Sequence, residues 1–484
     1  MAGAEGMTLS DLLEGLAAAV PDLTVTDLCL DSRHCRAGSL FVAIGGDHGH
    51  GLDYLDQAVE AGAVAVVHDE HRSPVSSSVP TVLIPALGEH LPMLASRFFG
   101  MAEDMDLVAV TGTNGKTSVA WLLAQALDAA MLGTLGVGRP GAERAGTHTT
   151  PDILSVYREL AGLRAEGHRC VVLEASSHAL DQQRLAGLSF TSVIFTGLGH
   201  DHLDYHVSLE AYFEAKSRLF TDYRSDRQII NLDDPHGRAL ADKIAATGSV
   251  LSYSLKDRPG ATARLTARRA DLSGIEALVE LPEGQTVLSC PLIGRVNLHN
   301  LAIVYLELRA RGLGSDDIQA RVAALKPVPG RMQVVSGGAG IAAVIDYAHT
   351  PDALEFVLTS LRELSSGQLW CLFGCGGDRD KAKRPMMGRI AESLSDRVIL
   401  TDDNPRGEDG TAIVREIQGG MRHPERSRVI RDRVQAIRTA LREAQPGDLV
   451  LIAGKGHETT QTIGSQVHRH SDAAVVRESL VEAA

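Results

Sequence analysis

The stretch MAEDMDLVAVTGTNGKTS, residues 101–118, decides the fold class. Residues 107–110 form an apolar run of strand type, residues 111–115 a turn with two glycines, and VAWLLAQAL after Ser118 has helical composition. A strand that feeds a helix through such a turn is the order a phosphate-binding loop requires. Glycines let the backbone approach a phosphate, the amides at the helix start face it, and Lys116 adds positive charge. Thr117 has the hydroxyl that ligates Mg²⁺ in such loops. Gly112, Thr113, Asn114, Gly115, Lys116, Thr117 and Ser118 are therefore the candidate ATP-binding set. Val110 stands where the strict GxxxxGK[ST] pattern has its first glycine, so the loop is a variant of that pattern. It identifies the cofactor class and not the reaction.

Before this loop, from residue 23 to about 85, short β-type runs (SLFVAI, AVAVVH, TVLI) alternate with helical segments such as YLDQAVEAG. After it, CVVLEAS, SVIFTGL and RQIINL continue the βα alternation, followed by the β-rich GATARLTARRADLSGIEALVELPEGQTVLSCPL and a helix beginning near Asn297. LKPVPGRMQ, with two prolines and a glycine, reads as a linker. Beyond it AAVIDYAHTP, QLWCLFGCGG, RVILTDDNP and DLVLIAGKGHE are four apolar strands, each ending in polar residues. In an open parallel sheet the residues just past the strand C-termini line the ligand crevice, which makes these tails candidate site residues. The expected division is 1–98, 99–329 and 330–484, each piece large enough for a core of its own.

The 484 residues are 44% hydrophobic and 22% charged, which fits an α/β protein with no apolar run long enough to span a bilayer. The first residues, MAGAEGMTLSDLLEGL, have no basic segment ahead of the apolar ones and do not read as a secretory signal, so a cytoplasmic location is expected. Lys plus Arg at 47 against Asp plus Glu at 61 gives a net charge of −14. That balance disfavours nucleic acid as a partner and requires local positive sites for any anionic substrate. Cys29, Cys35, Cys170, Cys290, Cys371 and Cys375 form no CxxC pair and read as reduced, mostly structural thiols.

Two more motifs point to metal chemistry. CVVLEASSHAL puts Glu174 at the end of an apolar strand, and FTGLGHDHLDYH puts His202 after the next one. A carboxylate and an imidazole converging beside ATP are candidate Mg²⁺ ligands. Taken singly, each reads as a surface or capping group. Lys216 in EAYFEAKSRLF passes by itself for an ordinary helix-surface lysine, and Asn297 and Asn300 have a plain explanation as helix-start residues.

TGTNGKT is the form this loop takes in Mur ligases and folylpolyglutamate synthetases. From Asp31 to Glu458 many separate motifs follow in the Mur ligase order, and on these the chain resembles the Mur ligases. The resemblance implies a three-domain α/β architecture with a central P-loop ATPase domain and a Rossmann-like C-terminal domain. It implies that Thr117 serves one Mg²⁺, that Glu174 and His202 hold a second, and that Lys216, ten residues after His206, is carbamylated. Catalysis would then rest on Lys116, Lys216 and His202. Asn300 would lie near adenine, while Arg331 of PGRM and Asp346 and Tyr347 of DYAHTPDAL would close over the nucleotide. The chain departs from the family at Gly197, where an Asn is usual.

For the carboxylate substrate, LDSRHCRAGSLFVAIGGDHGHG resembles the nucleotide-sugar-binding start of the family's tripeptide synthetases. Leu30, Ser32 and His48-Gly49-His50 stand at matching positions. His148, Thr149 and Thr150 of THTTPD, Ser176, Gln182 and Arg184 match the part that holds the substrate's peptide end, although His148 stands where many relatives have Asn. Asp403, Asn404, Pro405 and Arg406 form DNPR, the signature of the branch that adds meso-diaminopimelate. Arg379, Gly454 and Glu458 are implied around the same amino acid. The expected partners are UDP-MurNAc-L-Ala-D-Glu and meso-diaminopimelate, with neither nucleic acid nor membrane and the chain acting as a monomer.

Three other readings compete. A ligase adding lysine or another amine would keep the ATP apparatus but need no Arg406. A folylpolyglutamate synthetase would lack the DSR, HTTP and DNPR elements. A binding protein that had lost catalysis would not need Lys116, Glu174, His202 and Lys216 intact.

Overall fold

A computed structural model describes residues 6–17, 19–46, 49–69, 75–100, 104–146, 148–199, 201–245, 249–336 and 340–482. Among these, the strands of the first unit form a four-stranded parallel sheet in the order Asp27–Cys29, Ser39–Ala43, Ala63–His68, Thr81–Leu83. All five residues of Ser39–Ala43 are buried, as a central strand covered on both faces should be.

The second unit is built on a ten-stranded sheet. Its centre runs Ala130–Gly133, Cys170–Glu174, Asp106–Thr111, Phe190–Phe195, Ser225–Asn231, Ser249–Ser254, all parallel. The β-rich stretch expected from the sequence becomes Ala263–Asp271, Gly274–Leu281 and Gly284–Cys290, an antiparallel meander that extends this sheet. Asp106–Thr111 lies between Cys170–Glu174 and Phe190–Phe195, strands that follow it in the chain and pair with its opposite edges. Such a reversal of strand order opens a crevice at the C-terminal ends of the strands. The phosphate loop, Glu174 and the 196–199 segment leave from these three adjacent ends.

The third unit repeats the device. Ala342–Asp346, Leu449–Ala453, Leu369–Phe373 and Arg397–Leu400 are parallel neighbours, so the four polar tails read from the sequence lie side by side. Helices cover both faces of this sheet. One core gathers around Val344, Cys371 and Met387, and another around Ile345, Leu372 and Ile437.

The first two units do not keep separate cores. One continuous cluster runs from Leu9 through Leu94, Leu107 and Leu160 to Ile244. Across the same junction Arg158 donates to Asp27 Oδ1 at 3.0 Å and to the Leu28 carbonyl. The expectation of reduced cysteines is corrected at one pair, because Cys29 and Cys35 form a disulfide. The single 3₁₀ turn Ser32–His34 folds the chain back and brings their Cα atoms to 5.9 Å. Among the described residues the free cysteines are Cys170, Cys290, Cys371 and Cys375, and no helix is long and apolar enough to cross a membrane.

A buried ion pair locks the third unit. Arg433 donates to both oxygens of Asp472 at 2.8 Å and to the Ala453 carbonyl at 2.9 Å, and both side chains are fully buried. Breaking such a pair strands a charge in the interior, whereas an exposed pair contributes little. Arg433→Met should therefore cost about 3–5 kcal/mol in urea unfolding. Arg139→Met, which breaks the exposed pair with Asp128, should cost less than about 1 kcal/mol. Equal losses in the two variants would contradict this account.

Candidate active site

The phosphate loop is shaped by what stands beside it. Gly112 has φ +144°, and a methyl on it would come within 1.9 Å of Thr196 Oγ1. Only glycine satisfies both conditions. Thr113 N donates to the Gly197 carbonyl at 2.9 Å, Gly199 N to Thr113 Oγ1 at 2.9 Å, and Thr196 Oγ1 to the Asn114 carbonyl at 2.6 Å. The 196–199 segment is thus a second wall of the loop. Gly197, the departure from the family, has φ +143°, and Leu198 N beside it is held by Asp234 Oδ2 at 3.0 Å. Asp234 therefore anchors this wall.

Lys116 starts the helix Lys116–Ala126 and donates to the Gly112 and Thr113 carbonyls, both at 2.8 Å. Burial lowers its pKa, against the opposing pull of Glu174 and Asp201. Asn114 is exposed, and Gly115 and Ser118 are partly exposed at the loop. Thr117 Oγ1 donates to Glu174 Oε2 at 2.8 Å. Glu174 is fully buried and also accepts Thr134 N at 2.7 Å.

Lys216 is not a surface lysine. It is 1% exposed, its Nζ donates to the Gly112 carbonyl at 2.9 Å, and it sits 4.4 Å from the centroid of the Tyr212 ring. Burial, then the charge of Lys116, pushes its pKa well below the ordinary lysine value. His202 packs its ring edge-on against His178 at 4.9 Å and lies within electrostatic reach of Lys116 and Lys216. Burial first, then the charges of His178 and these lysines, lowers its pKa against the pull of Asp201. Asn300, nearly buried, donates to Asn297 Oδ1 at 2.8 Å beside the loop.

The residues matched to the substrate's peptide end form one web. Thr150 Oγ1 donates to the Glu174 carbonyl at 2.6 Å and accepts from Ser176 N at 3.1 Å. Arg184 donates to the Thr150 carbonyl at 2.7 Å and to Gln182 Oε1 at 2.6 Å. Thr149 Oγ1 lies 2.9 Å from Thr134 Oγ1, and Ser176 caps the helix Ser177–Asp181. His148 is exposed at the edge of this web. In the first unit Ser32 donates to Gln57 Oε1 at 2.8 Å, and the His50 ring lies 2.8 Å from Asp69. Gly49, at φ +136°, pairs with Gly46 beside them, and Leu30 is half-buried next to the disulfide. His48 lies outside the described residues.

The linker joins the two crevices. A methyl on Gly330 would lie 2.1 Å from His457 N, so PGRM is packed against GKGHE. The Arg331 guanidinium lies over the Tyr347 ring at 4.3 Å, and its charge is felt at Lys116. Both oxygens of buried Asp346 are committed to backbone, to Met332 N at 2.7 Å and Ala348 N at 2.8 Å. Asp346 clasps the linker to its strand.

At the tails, Asp403 and Asn404 are buried, and Pro405 carries the chain to Arg406, which is half-buried with φ +51°. The Arg406 guanidinium donates to the Gly377 carbonyl at 2.8 Å, while its backbone N donates to the Thr462 carbonyl at 3.1 Å. A methyl on Gly454, at φ +108°, would meet Asp403 Oδ2 at 2.5 Å, so glycine there lets the two tails touch. Glu458 reaches Asn404 at 2.9 Å, and Arg379 is exposed nearby on the GCGGDRDK tail. Sequence reasoning leaves Lys455 and Asp234 unassigned. Lys455 lies inside GKGHE, but nothing local marks a lysine as buried.

Gly112→Ala should impose about 1–3 kcal/mol of local strain and remove ATP binding. Gly88→Ala, where nothing lies within 4 Å of the added methyl, should leave it intact. Titration with a fluorescent ATP analogue checks this, and binding retained by Gly112→Ala would refute the shape of the loop.

Three family models match in order: "Mur ligase family, catalytic domain" at residues 24–98, "Mur ligase middle domain" at 110–306 and "Mur ligase, glutamate ligase domain" at 330–456. The UDP-N-acetylmuramoyl-L-alanyl-D-glutamate–2,6-diaminopimelate ligase of Alkalilimnicola ehrlichii is 43% identical over 478 residues, 95% of this chain and 96% of that protein. The ligase of the same name from Ectopseudomonas mendocina is 44% identical over 475 residues, covering 96% and 97%. A solved structure of a ligase of that name superposes with a TM-score of 0.70 at 33% identity, over 99% of both chains. With the three models in sequence and full-length relatives at 43% and 44% identity, the chain belongs to the Mur ligase family.

Proposed function

We propose that the chain is an ATP-dependent acid–amino-acid ligase that adds meso-diaminopimelate to the D-glutamate of UDP-MurNAc-L-Ala-D-Glu in peptidoglycan precursor synthesis. The observation that carries this reading is the meeting of Lys116, Thr117, Glu174 and Lys216 around the Gly112 loop. The names of the full-length relatives supply the substrates. Residues 1–98 would hold the UDP-sugar, 99–329 the ATP and 330–484 the amino acid.

In the first step the D-glutamate carboxylate attacks the γ-phosphorus of ATP. An O–P bond forms, the bond to the β-phosphate oxygen breaks, and ADP leaves an acyl phosphate. Phosphoryl transfer needs positioning and charge neutralisation more than a protein nucleophile. Lys116 and the loop amides supply these on one side, and Arg331 approaches from the linker. In the second step the amine attacks the acyl carbon, the C–O bond to phosphate breaks, and the ammonium proton is lost as the amide forms.

Magnesium fits the donor set, because Thr117 and Glu174 offer hard oxygens 2.8 Å apart at the loop. These residues, with His202 and a carbamylated Lys216, would hold Mg²⁺, which when bound neutralises phosphate charge. Lys216 suits carbamylation because it is buried, with its amine beside the Gly112 carbonyl at the loop. The ammonium would first lose one proton; the neutral amine would then form an N–C bond to carbon dioxide and release a second, so that a buried cation is replaced by an anion. Intact mass in bicarbonate should show the added CO₂, and Lys216→Ala should lose activity that short carboxylates partly restore. A free amine in the active enzyme would refute it.

Arg406 supports diaminopimelate over lysine. One of its amino groups is tied to Gly377, which aims the guanidinium, and the remaining N–H groups suit the distal carboxylate that lysine lacks. Sites built around such a group reject analogues lacking its partner by up to about 10⁴-fold. Phosphate release with UDP-MurNAc-L-Ala-D-Glu should therefore strongly favour meso-diaminopimelate over lysine, and Arg406→Ala should erode that ratio. Equal use of both amines by the wild-type enzyme would overturn the substrate assignment.

A further inference from the structure

Lys455 is 0% exposed, yet nothing in the proposed chemistry uses it. Its ammonium donates to Glu458 Oε2 at 2.7 Å and to Asn404 Oδ1 at 3.1 Å. Asn404 in turn donates to the same Glu458 oxygen at 2.9 Å and accepts Thr462 N at 2.9 Å on Oδ1. Lysine, amide and carboxylate thus close a three-membered ring of hydrogen bonds across two tails, 404 and 455–458. The strands behind these tails, Arg397–Leu400 and Leu449–Ala453, are separated in the sheet by Leu369–Phe373.

The ring is asymmetric. Oε2 of Glu458 takes two donors, while Oε1 takes no hydrogen bond from the described residues and the side chain keeps 30% of its surface exposed. Burial alone would oppose ionisation of Glu458. The hydrogen bond and charge of Lys455, with the Asn404 amide, outweigh it and hold the carboxyl below its usual range. Asn404 has both ends of its amide engaged and is 6% exposed, so it is suited to hold Glu458 in place.

We propose that Lys455 is a positioning residue for the incoming amino acid, clamping Glu458 directly and together with Asn404 so that one anionic oxygen is presented to the substrate's ammonium group. The inference rests on the amino-acid site proposed above and deepens it. An ion pair with one partner fully buried is a poor source of stability compared with apolar packing. What it supplies here is direction, since a carboxylate tied at one oxygen by two donors from different strands cannot turn away. Preorganised partners of this kind lower the ordering cost of binding.

The test measures KM for meso-diaminopimelate, ATP and UDP-MurNAc-L-Ala-D-Glu separately in the full-length enzyme, by phosphate release. Lys455→Met should raise KM for meso-diaminopimelate by about 10–100-fold, the effect of losing a hydrogen bond to a charged group, and leave the other two within about twofold. Glu458→Gln should raise the same constant. In the Lys455→Met/Glu458→Gln double variant the two effects should not multiply, because one acts through the other. The double variant carries no unpaired buried charge and serves as the readout if Lys455→Met alone does not fold. A folded Lys455→Met enzyme with unchanged KM for meso-diaminopimelate, an equal rise for all three substrates, or multiplicative effects in the double variant would each overturn the proposal. Wild-type enzyme that fails to release phosphate with meso-diaminopimelate would overturn the substrate assignment, and this inference with it.

Discussion

The site is organised by a single buried carboxylate. Glu174 closes the strand Cys170–Glu174 with no solvent exposure, and a charge so placed must be paired or fully hydrogen-bonded. It takes Thr117 Oγ1 from the nucleotide loop and Thr134 N from the neighbouring strand end, while its own carbonyl takes Thr150 Oγ1. A methyl on Gly133 would come within 2.3 Å of Oε1, so even the adjacent strand is cut back to admit this side chain. The phosphate loop, the candidate metal ligands Thr117 and Glu174, and the web around Thr150 are thereby held in one register.

The second crevice depends on the first through the linker. Asp346 grips Met332 N, Gly330 packs on the 456–457 backbone, and Arg331 lies between Tyr347 and the field of Lys116. These contacts tie Asp346 and the 456–457 backbone to the linker that carries Arg331 into the field of Lys116. Burial and the charge of Arg331 together push the pKa of His457 down to about 4, so the residue beside Glu458 is uncharged at neutral pH. The positive charge next to that carboxylate is then Lys455, which is why a lysine that its local sequence leaves unmarked becomes informative.

Much of the molecule is legible because its signals are local. A strand, a glycine turn and a helix sit within one contiguous stretch, and apolar runs ending in polar tails announce a parallel sheet with its ligands at one end. Arg406 is legible for the same reason, as part of an unbroken DNPR. The disulfide is not, because a six-residue spacing says nothing until the turn at Ser32–His34 is formed. Nor is the shared core of the first two units, because apolar periodicity marks which face is buried and not what it is buried against.

The sequence by itself determined the element order, the phosphate loop and the set of polar strand tails that are candidate site residues, since these follow from covalent neighbours and short-range periodicity. Only the tertiary structure decided which tails touch. Lys216 reaches Gly112 across 104 residues, Thr117 reaches Glu174 across 57, and Lys455 reaches Asn404 across 51. The physical reason is strand order: hydrogen bonding across the sheets sets which C-terminal ends are adjacent, and burial there turns an ordinary-looking lysine into a group with a defined partner.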